Sequence, residues 1–251
     1  MVNKKILYYE QLDSTNTKLM ELAKDGAVHG TVVIADKQTA GKGRRGRNWE
    51  SSEKENLYMS LLLRPDIRPE KAPMLTLVMA YSVAKAIRGC GFSDVKIKWP
   101  NDLVLSGKKM CGILTEMQMN GQQIDCVIVG VGVNINTTSF SEEIKDKATS
   151  LYLESGENYH REEIVESILQ NFEKDYDRFV ETQDLSFLQE EYNEMLINCG
   201  KEVIIQEPEK KYTAMAYGIN EIGELIVVTE DGRKETIYAG EVSVRGLYGY
   251  V

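Results

Sequence analysis

The sequence predicts an α+β fold in which a mixed, largely antiparallel sheet is followed by a small C-terminal β-barrel. Short strand patterns run through residues 95–133 and include a strong hairpin signal at Asn120-Gly121. Amphipathic helical patterns lie on both sides of this region. After Gly200 every predicted element is a short strand. We therefore expect a larger domain at residues 1–198 and a barrel domain at residues 199–251.

The first part of the chain predicts a helix, two buried strands and a second helix. Ser14 and Thr15 are N-cap candidates for a short helix that ends near Gly26. Two continuous apolar runs, at residues 31–35 and 57–63, predict buried strands. The helix that begins near Pro73 and ends near Gly89 is apolar on most faces, so we expect it to lie centrally.

The middle of the chain predicts a meander and two further helices. Val95, Ile97 and Trp99 alternate with polar residues, and later strands are expected at residues 103–105, 111–119 and 124–133. Because these neighbours are antiparallel, a doubly wound nucleotide-binding fold is excluded. Helices are then predicted at residues 160–180 and 185–197. The barrel strands are predicted at residues 203–205, 213–217, 225–228, 236–238 and 242–244.

Composition places the chain among ordinary globular proteins. Its 251 residues are 42% hydrophobic and 27% charged, which fits one large domain or one large and one small domain. Only four apolar or aromatic residues, Ile6 to Tyr9, follow the basic N-terminus, too few for a signal peptide, and no run is long enough to span a membrane. We expect a cytoplasmic protein with no membrane partner.

The cysteines do not indicate a metal site. Cys90, Cys111, Cys126 and Cys199 are far apart, show no C-x-x-C spacing, and have only two histidines as companions. A zinc knuckle is therefore excluded. We expect reduced, mostly buried thiols.

Residues 41–49, Gly-Lys-Gly-Arg-Arg-Gly-Arg-Asn-Trp, form a segment that we call the basic loop. It holds four cationic side chains and three glycines in a chain whose net charge is −9. Glycine backbone allows close approach to an anion, and arginine binds phosphate or carboxylate in bidentate fashion. We expect a phosphate-bearing small molecule here. A solvated loop without a ligand is the alternative.

The same loop contains a G-x-G-x-x-G pattern, which is typical of dinucleotide-binding proteins. That pattern requires a helix at its third glycine, and the residues after Gly46 have no apolar helical period. The Walker pattern fails as well, so a mobile loop between two strands remains. The overall acidity argues against a nucleic-acid partner, which requires a broad basic surface.

Five segments, taken together, resemble the biotin protein ligases. They are Leu-Asp-Ser-Thr-Asn at residues 12–16, Gln-Thr-Ala followed by the basic loop at 38–49, Lys-Trp-Pro-Asn-Asp-Leu at 98–103 with Lys109 and Gly-Ile-Leu at 112–114, Gly-Val-Gly-Val-Asn-Ile-Asn at 130–136, and Gly-Glu-Val-Ser-Val-Arg at 240–245. The resemblance implies a catalytic core like that of class II aminoacyl-tRNA synthetases and a Src-homology-3-like barrel. It also implies that biotin, ATP and Mg²⁺ are bound, and that biotin is adenylated and transferred to a lysine of a biotin carboxyl carrier protein.

The resemblance assigns expected roles to individual residues. Biotin is expected to contact Ser14, Thr15, Asn16, Gln38, Gly41, Lys42, Arg44 and Gly112. ATP and the adenylate are expected to contact Arg44, Arg45, Arg47, Trp49, Asn101, Lys109, Asn134 and Asn136. The catalytic residues are expected to be Lys109 between carboxylate and phosphate, Asp102 at the acceptor amine, and Arg44 in the closing loop. Asn134 is also expected to assist Mg²⁺.

Structural roles are the alternatives for several of these residues. Lys109 lies beside Lys108 and fits a solvated hairpin charge, while Asp102 fits a residue that satisfies turn amides. Asn16 fits a helix cap, and Trp49 fits a loop anchor. Many members of the family have arginine at the position of Lys42. A contact made by the backbone at this position would survive the difference.

Two other functions stay open at this stage. A lipoate–protein ligase would need an apolar tunnel, whereas the polar ureido ring of biotin needs donors and acceptors such as Ser14, Thr15 and Gln38. An RNA-binding module would need a basic barrel face with aromatic residues, and the barrel region is acidic. Because the motifs begin at Leu12, we expect the form without a DNA-binding domain. The sequence leaves a monomer and a homodimer open.

Overall fold

The first sheet of the fold has seven strands, in the order β1-β2-β3-β7-β6-β5-β4. The computed structural model describes residues 5–51, 55–206, 210–239 and 243–246. The strands are β1 (Lys5–Leu12), β2 (Thr31–Gln38), β3 (Leu57–Leu63), β4 (Lys96–Lys98), β5 (Asp102–Leu105), β6 (Lys108–Asn120) and β7 (Gln123–Val133). Only β1 and β2 pair in parallel, and the other neighbours are antiparallel. The predicted mixed, largely antiparallel sheet is confirmed.

One face of this sheet carries the main core. The helices are α1 (Thr15–Lys24), α2 (Met74–Gly89), α3 (Leu151–Ser155), α4 (Arg161–Thr182) and α5 (Gln189–Met195). Twelve of the 16 residues of α2 are buried, so this helix is central, as its sequence predicts. Ile168 and Phe172 of α4 are fully buried in the same cluster. Burial on all sides explains why α2 is apolar around most of its circumference.

The helix predicted at residues 185–197 is shorter than expected. Its α-helical part begins only at Gln189. The backbone N–H of Leu185 donates to the carbonyl oxygen of Glu221, in the C-terminal part of the chain, at 2.7 Å. Leu185 and Leu188 are both buried. Burial and this long-range hydrogen bond fix the segment before the helix in a non-helical form.

The opposite face of the sheet is only partly covered. Helix α1 packs there with Leu19 and Ala23 against Val33, Leu62 and Ile128. This cluster is small, and α1 contacts β2, β3 and β7. The N-terminus of α1 therefore lies on the sheet next to a region of β6 and β7 where small residues leave space.

The second sheet contains all described strands after Gly200. They are β8 (Lys201–Gln206), β9 (Lys211–Ile219), β10 (Leu225–Thr229), β11 (Lys234–Ile237) and β12 (Ser243–Gly246), in the antiparallel order β11-β10-β9-β8-β12. This is the small Src-homology-3-like unit that the sequence predicts. Gly240, Glu241 and Val242 of the predicted C-terminal motif lie outside the described residues. We propose that the domain boundary is at residues 198–199.

All four cysteines are free; Cys111 and Cys126 are buried, Cys90 is half-buried and Cys199 is exposed. The exposure of Cys199 departs from the expectation of mostly buried thiols. Within the described ranges, every helix is too short or too polar to cross a lipid bilayer.

Trp99 joins the two sheets. Its side chain is 1% exposed, and its indole Nε1–H donates to the carbonyl oxygen of Gly223 at 3.0 Å. Gly223 has a φ of +79° in the turn before β10, a conformation that glycine adopts without strain. The buried indole therefore fixes the position of this turn against the larger domain.

We predict that Trp99→Phe lowers the free energy of unfolding by about 2 kcal/mol, since it removes ring volume and leaves the Gly223 carbonyl without this donor. Denaturant unfolding measures the change. Trp49→Phe is the matched control, because the Trp49 Nε1–H is buried without a hydrogen-bond partner among the described residues. Equal destabilisation by the two substitutions would show that the Trp99 hydrogen bond contributes nothing.

Candidate active site

Two glycines on neighbouring strands form the floor of the candidate site. Gly112 of β6 lies opposite Gly132 of β7. The Trp49 ring rests on this pair, because a Cβ atom at either glycine would lie 2.7 Å from a ring atom. We call Gly112 and Gly132 the glycine floor. Any side chain larger than hydrogen at these positions would exclude the indole.

The basic loop folds into a short hairpin above this floor. Lys42 and Asn48 form an isolated antiparallel bridge, and the Trp49 N–H donates to the Gly41 carbonyl oxygen at 2.9 Å. The tip is a 3₁₀ turn at Arg44–Gly46. In the described residues that follow Gly46, no helix begins before the next strand. The basic loop therefore lacks the helix that a dinucleotide-binding site requires, as the sequence predicts.

Arg44 connects the loop to the rest of the protein. Its Nη1 donates to Asn101 Oδ1 at 3.0 Å, and its Nη2 donates to the carbonyl oxygen of Ala239 at 2.9 Å. Burial lowers the pKa of Arg44, and the negative charge of Asp102 opposes that shift. One guanidinium thus holds the basic loop against both the larger domain and the C-terminal unit.

An inner cavity lies between the N-terminus of α1 and the glycine floor. Its lining includes the predicted residues Ser14, Thr15, Asn16, Gln38, Lys42, Arg44 and Gly112. The remaining space is about 50 Å³, because the Trp49 ring occupies the floor. Gly41 does not line this cavity; it pairs with the other end of the basic loop, where a Cβ would be 2.8 Å from the Trp49 carbonyl oxygen.

The helix N-terminus places polar groups in the inner cavity. Ser14 occupies the N-cap position of α1, although its side chain makes no cap hydrogen bond. The Thr15 N–H donates to Gln38 Oε1 at 2.8 Å. Asn16 Nδ2 donates to Glu116 Oε2 at 2.7 Å, across the sheet, so Asn16 does not serve as a helix cap. Ser14, Thr15 and Asn16 are all buried.

An outer cavity of about 570 Å³ continues from the inner one. Gly43, Arg44, Trp49, Asn101 and Lys109 line both cavities. The outer cavity is further lined by Arg45, Arg47, Lys98, Asp102, Asp146, Lys147 and Arg245. The residues at the junction therefore face a small polar space on one side and a strongly cationic space on the other.

Lys109 and Asp102 form an ion pair at the junction. Lys109 Nζ lies 2.7 Å from Asp102 Oδ1 and 5.2 Å from the centroid of the Trp49 ring. The Lys109 N–H donates to the carbonyl oxygen of Lys147 at 2.8 Å, which fixes the backbone of β6 at this point. A solvated hairpin charge does not describe this half-buried lysine.

Asn134 and Asn136 do not join the other predicted residues, since neither is among those that line the two cavities. Asn134 Nδ2 donates to the Thr149 carbonyl oxygen at 3.0 Å, and Asn136 Nδ2 donates to the Tyr159 carbonyl oxygen at 3.0 Å. These hydrogen bonds hold the segment that follows β7. The contact of Asn134 and Asn136 with ATP stays a prediction, and their positions do not support it.

Four charged residues of the outer cavity are absent from the expected site: Lys98, Asp146, Lys147 and Arg245. Lys98 is only 6% exposed. Burial lowers the pKa of Lys98 to about 8, although the negative charge of Asp102 opposes this shift. The apolar alternation at residues 95–99 signalled Lys98, because it places this lysine opposite the core face.

Two family models match the chain. The model of the biotin/lipoate A/B protein ligase family matches residues 8–134, and the model of the biotin protein ligase C-terminal domain matches residues 199–245. The bifunctional ligase/repressor BirA of Bacillus subtilis is 38% identical over 241 residues, which cover 95% of this chain and 74% of the relative.

The chain belongs to the biotin protein ligase family. The biotin–[acetyl-CoA-carboxylase] ligase of Paracoccus denitrificans is 30% identical over 239 residues, covering 93% of this ligase and 98% of the relative. The structure of the biotin protein ligase from Aquifex aeolicus in complex with biotin and ATP superposes with a TM-score of 0.85 at 32% identity. That superposition covers 97% of this chain and all of the other. The fold class implied by the motif resemblance is confirmed.

We predict that Gly132→Ala displaces Trp49 from the glycine floor, since the new Cβ would lie 2.7 Å from the indole. Water would then reach the ring, and tryptophan fluorescence should shift to longer wavelength. Gly89→Ala is the matched control, because a Cβ at Gly89 meets nothing within 4 Å. A Gly132→Ala spectrum identical to the parental one would show that the ring does not depend on this glycine.

Proposed function

We propose that this protein is a biotin–protein ligase that joins biotin to ATP as biotinyl-5′-AMP and then transfers biotin to a lysine of a biotin carboxyl carrier protein. The observation that carries this proposal is the junction of the two cavities. A small polar cavity and a large cationic cavity meet at Lys109. The linings of the two spaces match the chemistry of a neutral polar ring with a carboxylate tail and of a triphosphate, whose reacting ends would meet at the junction.

The inner cavity suits the biotin ring. The ureido group is uncharged but has both N–H donors and a carbonyl acceptor, so its burial requires hydrogen-bond partners. Ser14, Thr15 and Gln38 supply such partners in the lining of the cavity. Once the Trp49 ring leaves the glycine floor, that floor offers a path without side chains toward Lys109, and along it the valeryl chain reaches the junction.

The outer cavity suits ATP. Its described lining includes the cations Arg45, Arg47, Lys98, Lys147 and Arg245. In a chain with a net charge of −9, this concentration of positive charge favours a small polyanion over an extended one. The Trp49 ring lies at the boundary of both spaces, where an aromatic face can pack on either substrate.

Adenylation brings two anions together, and Lys109 offsets their repulsion. A biotin carboxylate oxygen attacks the α-phosphorus, a P–O bond forms to give the mixed anhydride, and pyrophosphate leaves. Negative charge increases on the phosphate oxygens in the transition state, where a fixed ammonium group stabilises it. Asp102 holds the Lys109 ammonium at the junction through their ion pair.

Transfer of biotin needs a neutral amine. The acceptor lysine attacks the anhydride carbonyl carbon, an amide bond forms, and AMP leaves with the electron pair of the broken C–O bond. Asp102 lies at the junction and accepts or orients the proton that the amine loses. Arg44 ties the basic loop over the adenylate during both steps and limits access of water.

Mg²⁺ fits this site as a companion of ATP rather than as a resident ion. Within the described ranges, no cluster of three or more His, Cys, Asp or Glu side chains is placed to hold a metal. Mg²⁺ commonly binds one or two carboxylates together with substrate phosphates. Asp102 and Asp146 are the described carboxylates that line the outer cavity. Bound there, the ion would neutralise phosphate charge.

Biotin is favoured over lipoate as the acyl substrate. The C-terminal match is to a biotin protein ligase domain, the Paracoccus denitrificans relative is a biotin–[acetyl-CoA-carboxylase] ligase, and the superposed Aquifex aeolicus structure is a biotin protein ligase. Incubation with ATP, Mg²⁺ and either labelled biotin or labelled lipoate separates the two functions by the acyl-adenylate that forms. Adenylation of lipoate alone would contradict the proposal, and RNA binding without either adenylate would favour the non-enzymatic alternative.

We predict that Lys109→Ala lowers the rate of biotinyl-adenylate formation by about 10²–10³, the usual effect of losing one group that stabilises transition-state charge. Biotin affinity should change little, because the ammonium acts most strongly as the anions meet. A single-turnover assay with labelled ATP measures the rate. Lys108→Ala, which removes the preceding lysine, serves as the control. Equal adenylation rates for parent and Lys109→Ala would remove Lys109 from the mechanism.

We also predict that ATP binding takes up protons near pH 8.5, because phosphate anions stabilise the charged form of Lys98. Its pKa is lowered to about 8 in the free protein, so much of Lys98 is neutral at that pH and becomes charged on binding. Calorimetry in two buffers of different ionisation enthalpy measures the uptake. Lys98→Met should abolish it, and unchanged uptake in this variant would assign the proton to another group.

A further inference from the structure

We infer that Glu116 is a positioning residue for biotin binding: through Asn16 and Ser60 it fixes the direction of the hydrogen bonds that present Thr15 to the inner cavity. The inference rests on the proposed function. Glu116 itself is not among the residues that line the inner cavity. Its effect on the substrate therefore passes through other side chains.

Asn16 lies across three neighbouring strands. Gly130 of β7 pairs with Ser60 of β3 on one side and with Leu114 of β6 on the other. The Asn16 amide fills the space above Gly130, where an added Cβ would come within 2.2 Å of Asn16 Oδ1. Gly130 thus allows one side chain to connect β3 with β6.

The β6 side fixes which way this amide points. Asn16 Nδ2 donates to Glu116 Oε2 at 2.7 Å and to the Leu114 carbonyl oxygen at 3.3 Å. A carboxylate and a carbonyl only accept, so the NH₂ group must face β6. The shorter bond goes to the charged group and is the stronger of the two. Asn16 Oδ1 therefore faces Ser60 as an acceptor.

The remaining proton positions follow from that orientation. Ser60 Oγ lies 2.5 Å from Asn16 Oδ1, a distance that requires its one proton between them. Ser60 Oγ also lies 2.8 Å from Thr15 Oγ1, and because the Ser60 proton points to Asn16, the Thr15 hydroxyl donates in this second bond. The other acceptor within reach of the Thr15 hydroxyl, Gln38 Oε1, is farther away at 3.2 Å and already accepts the Thr15 backbone N–H. Gln38 Oε1 accepts the Thr15 backbone N–H at 2.8 Å. The hydroxyl groups of Ser60 and Thr15 therefore each donate their proton in one direction.

The direction of these hydrogen bonds determines which donors and acceptors face the inner cavity. Thr15 Oγ1 presents lone pairs, while Gln38 Nε2 presents N–H groups because its oxygen is already engaged. A ureido ring has two N–H donors and one carbonyl acceptor, which complements this pair. A hydrogen-bond donor in place of Glu116 would permit these hydrogen bonds to run in the opposite direction. The Thr15 proton would then turn away from Ser60 and compete with the ureido N–H.

Glu116→Gln tests the inference, because an amide both donates and accepts and so permits both directions. We expect the dissociation constant for biotin to rise about tenfold, the equivalent of one well-directed hydrogen bond, with the KM for ATP unchanged. Glu116→Asp keeps a group that only accepts and should stay within about threefold of the parent. Glu10→Gln, on the exposed part of β1, controls for loss of charge.

A double-substitution cycle separates positioning from a general structural effect. Thr15→Val removes the hydroxyl through which Glu116 acts, so adding Glu116→Gln to Thr15→Val should weaken biotin binding no further. Additive losses would overturn the inference. So would equal weakening of biotin and ATP binding, or a fall in thermal stability that accounts for the loss.

The inference and the proposed function can fail separately. A parental protein that forms no biotinyl-adenylate would contradict the function itself. A parental protein that forms the adenylate, together with a Glu116→Gln variant of unchanged biotin affinity, would contradict the role of Glu116 alone. If Glu116→Gln does not fold, the biotin dissociation constants of Glu116→Asp and Ser60→Ala decide, and parental affinity in Ser60→Ala overturns the inference.

Discussion

The candidate site depends on three glycines on one face of the sheet. Gly112, Gly130 and Gly132 lie on adjacent strands, and a Cβ at these positions would come within 2.7, 2.2 and 2.7 Å of a neighbouring side chain. The other face is filled by α2 and the main core. Only the face with the glycines can therefore admit an indole, an amide or a ligand close to the backbone.

The second constraint is electrostatic. Burial of a lysine disfavours its charged form, and the lowered pKa of Lys98 reflects that cost. Lys98, Lys109 and Arg245 all line the same cavity, so their mutual repulsion is largest when no anion is bound. A bound polyphosphate removes this repulsion, so the same arrangement that is unfavourable in the free protein favours nucleotide binding.

The sequence predicted most of the fold because the hairpins and the central helix have strong local signals, such as Asn120-Gly121 and the apolar run of α2. It missed β1, whose side chains are exposed or half-buried at an edge of the sheet and whose parallel pairing with β2 is non-local. In the site, motif resemblance named residues expected to touch substrates. It included Lys98 in a motif without giving it a role, and it did not name Glu116, whose contact with Asn16 across the sheet exists only in the folded chain. The roles of the site residues stay predictions.

Trp49 links the two constraints. Its ring covers the glycine floor, and the inner cavity that remains, about 50 Å³, has room for only a few waters. A bicyclic ring with a valeryl chain can enter only if the indole moves, and the indole belongs to the loop that Arg44 ties to Asn101 and Ala239. Substrate entry therefore requires rearrangement of the basic loop. We propose that the Arg44 contacts stabilise the closed form against that change, so that they oppose biotin entry and, once the loop has closed again, slow the loss of the adenylate.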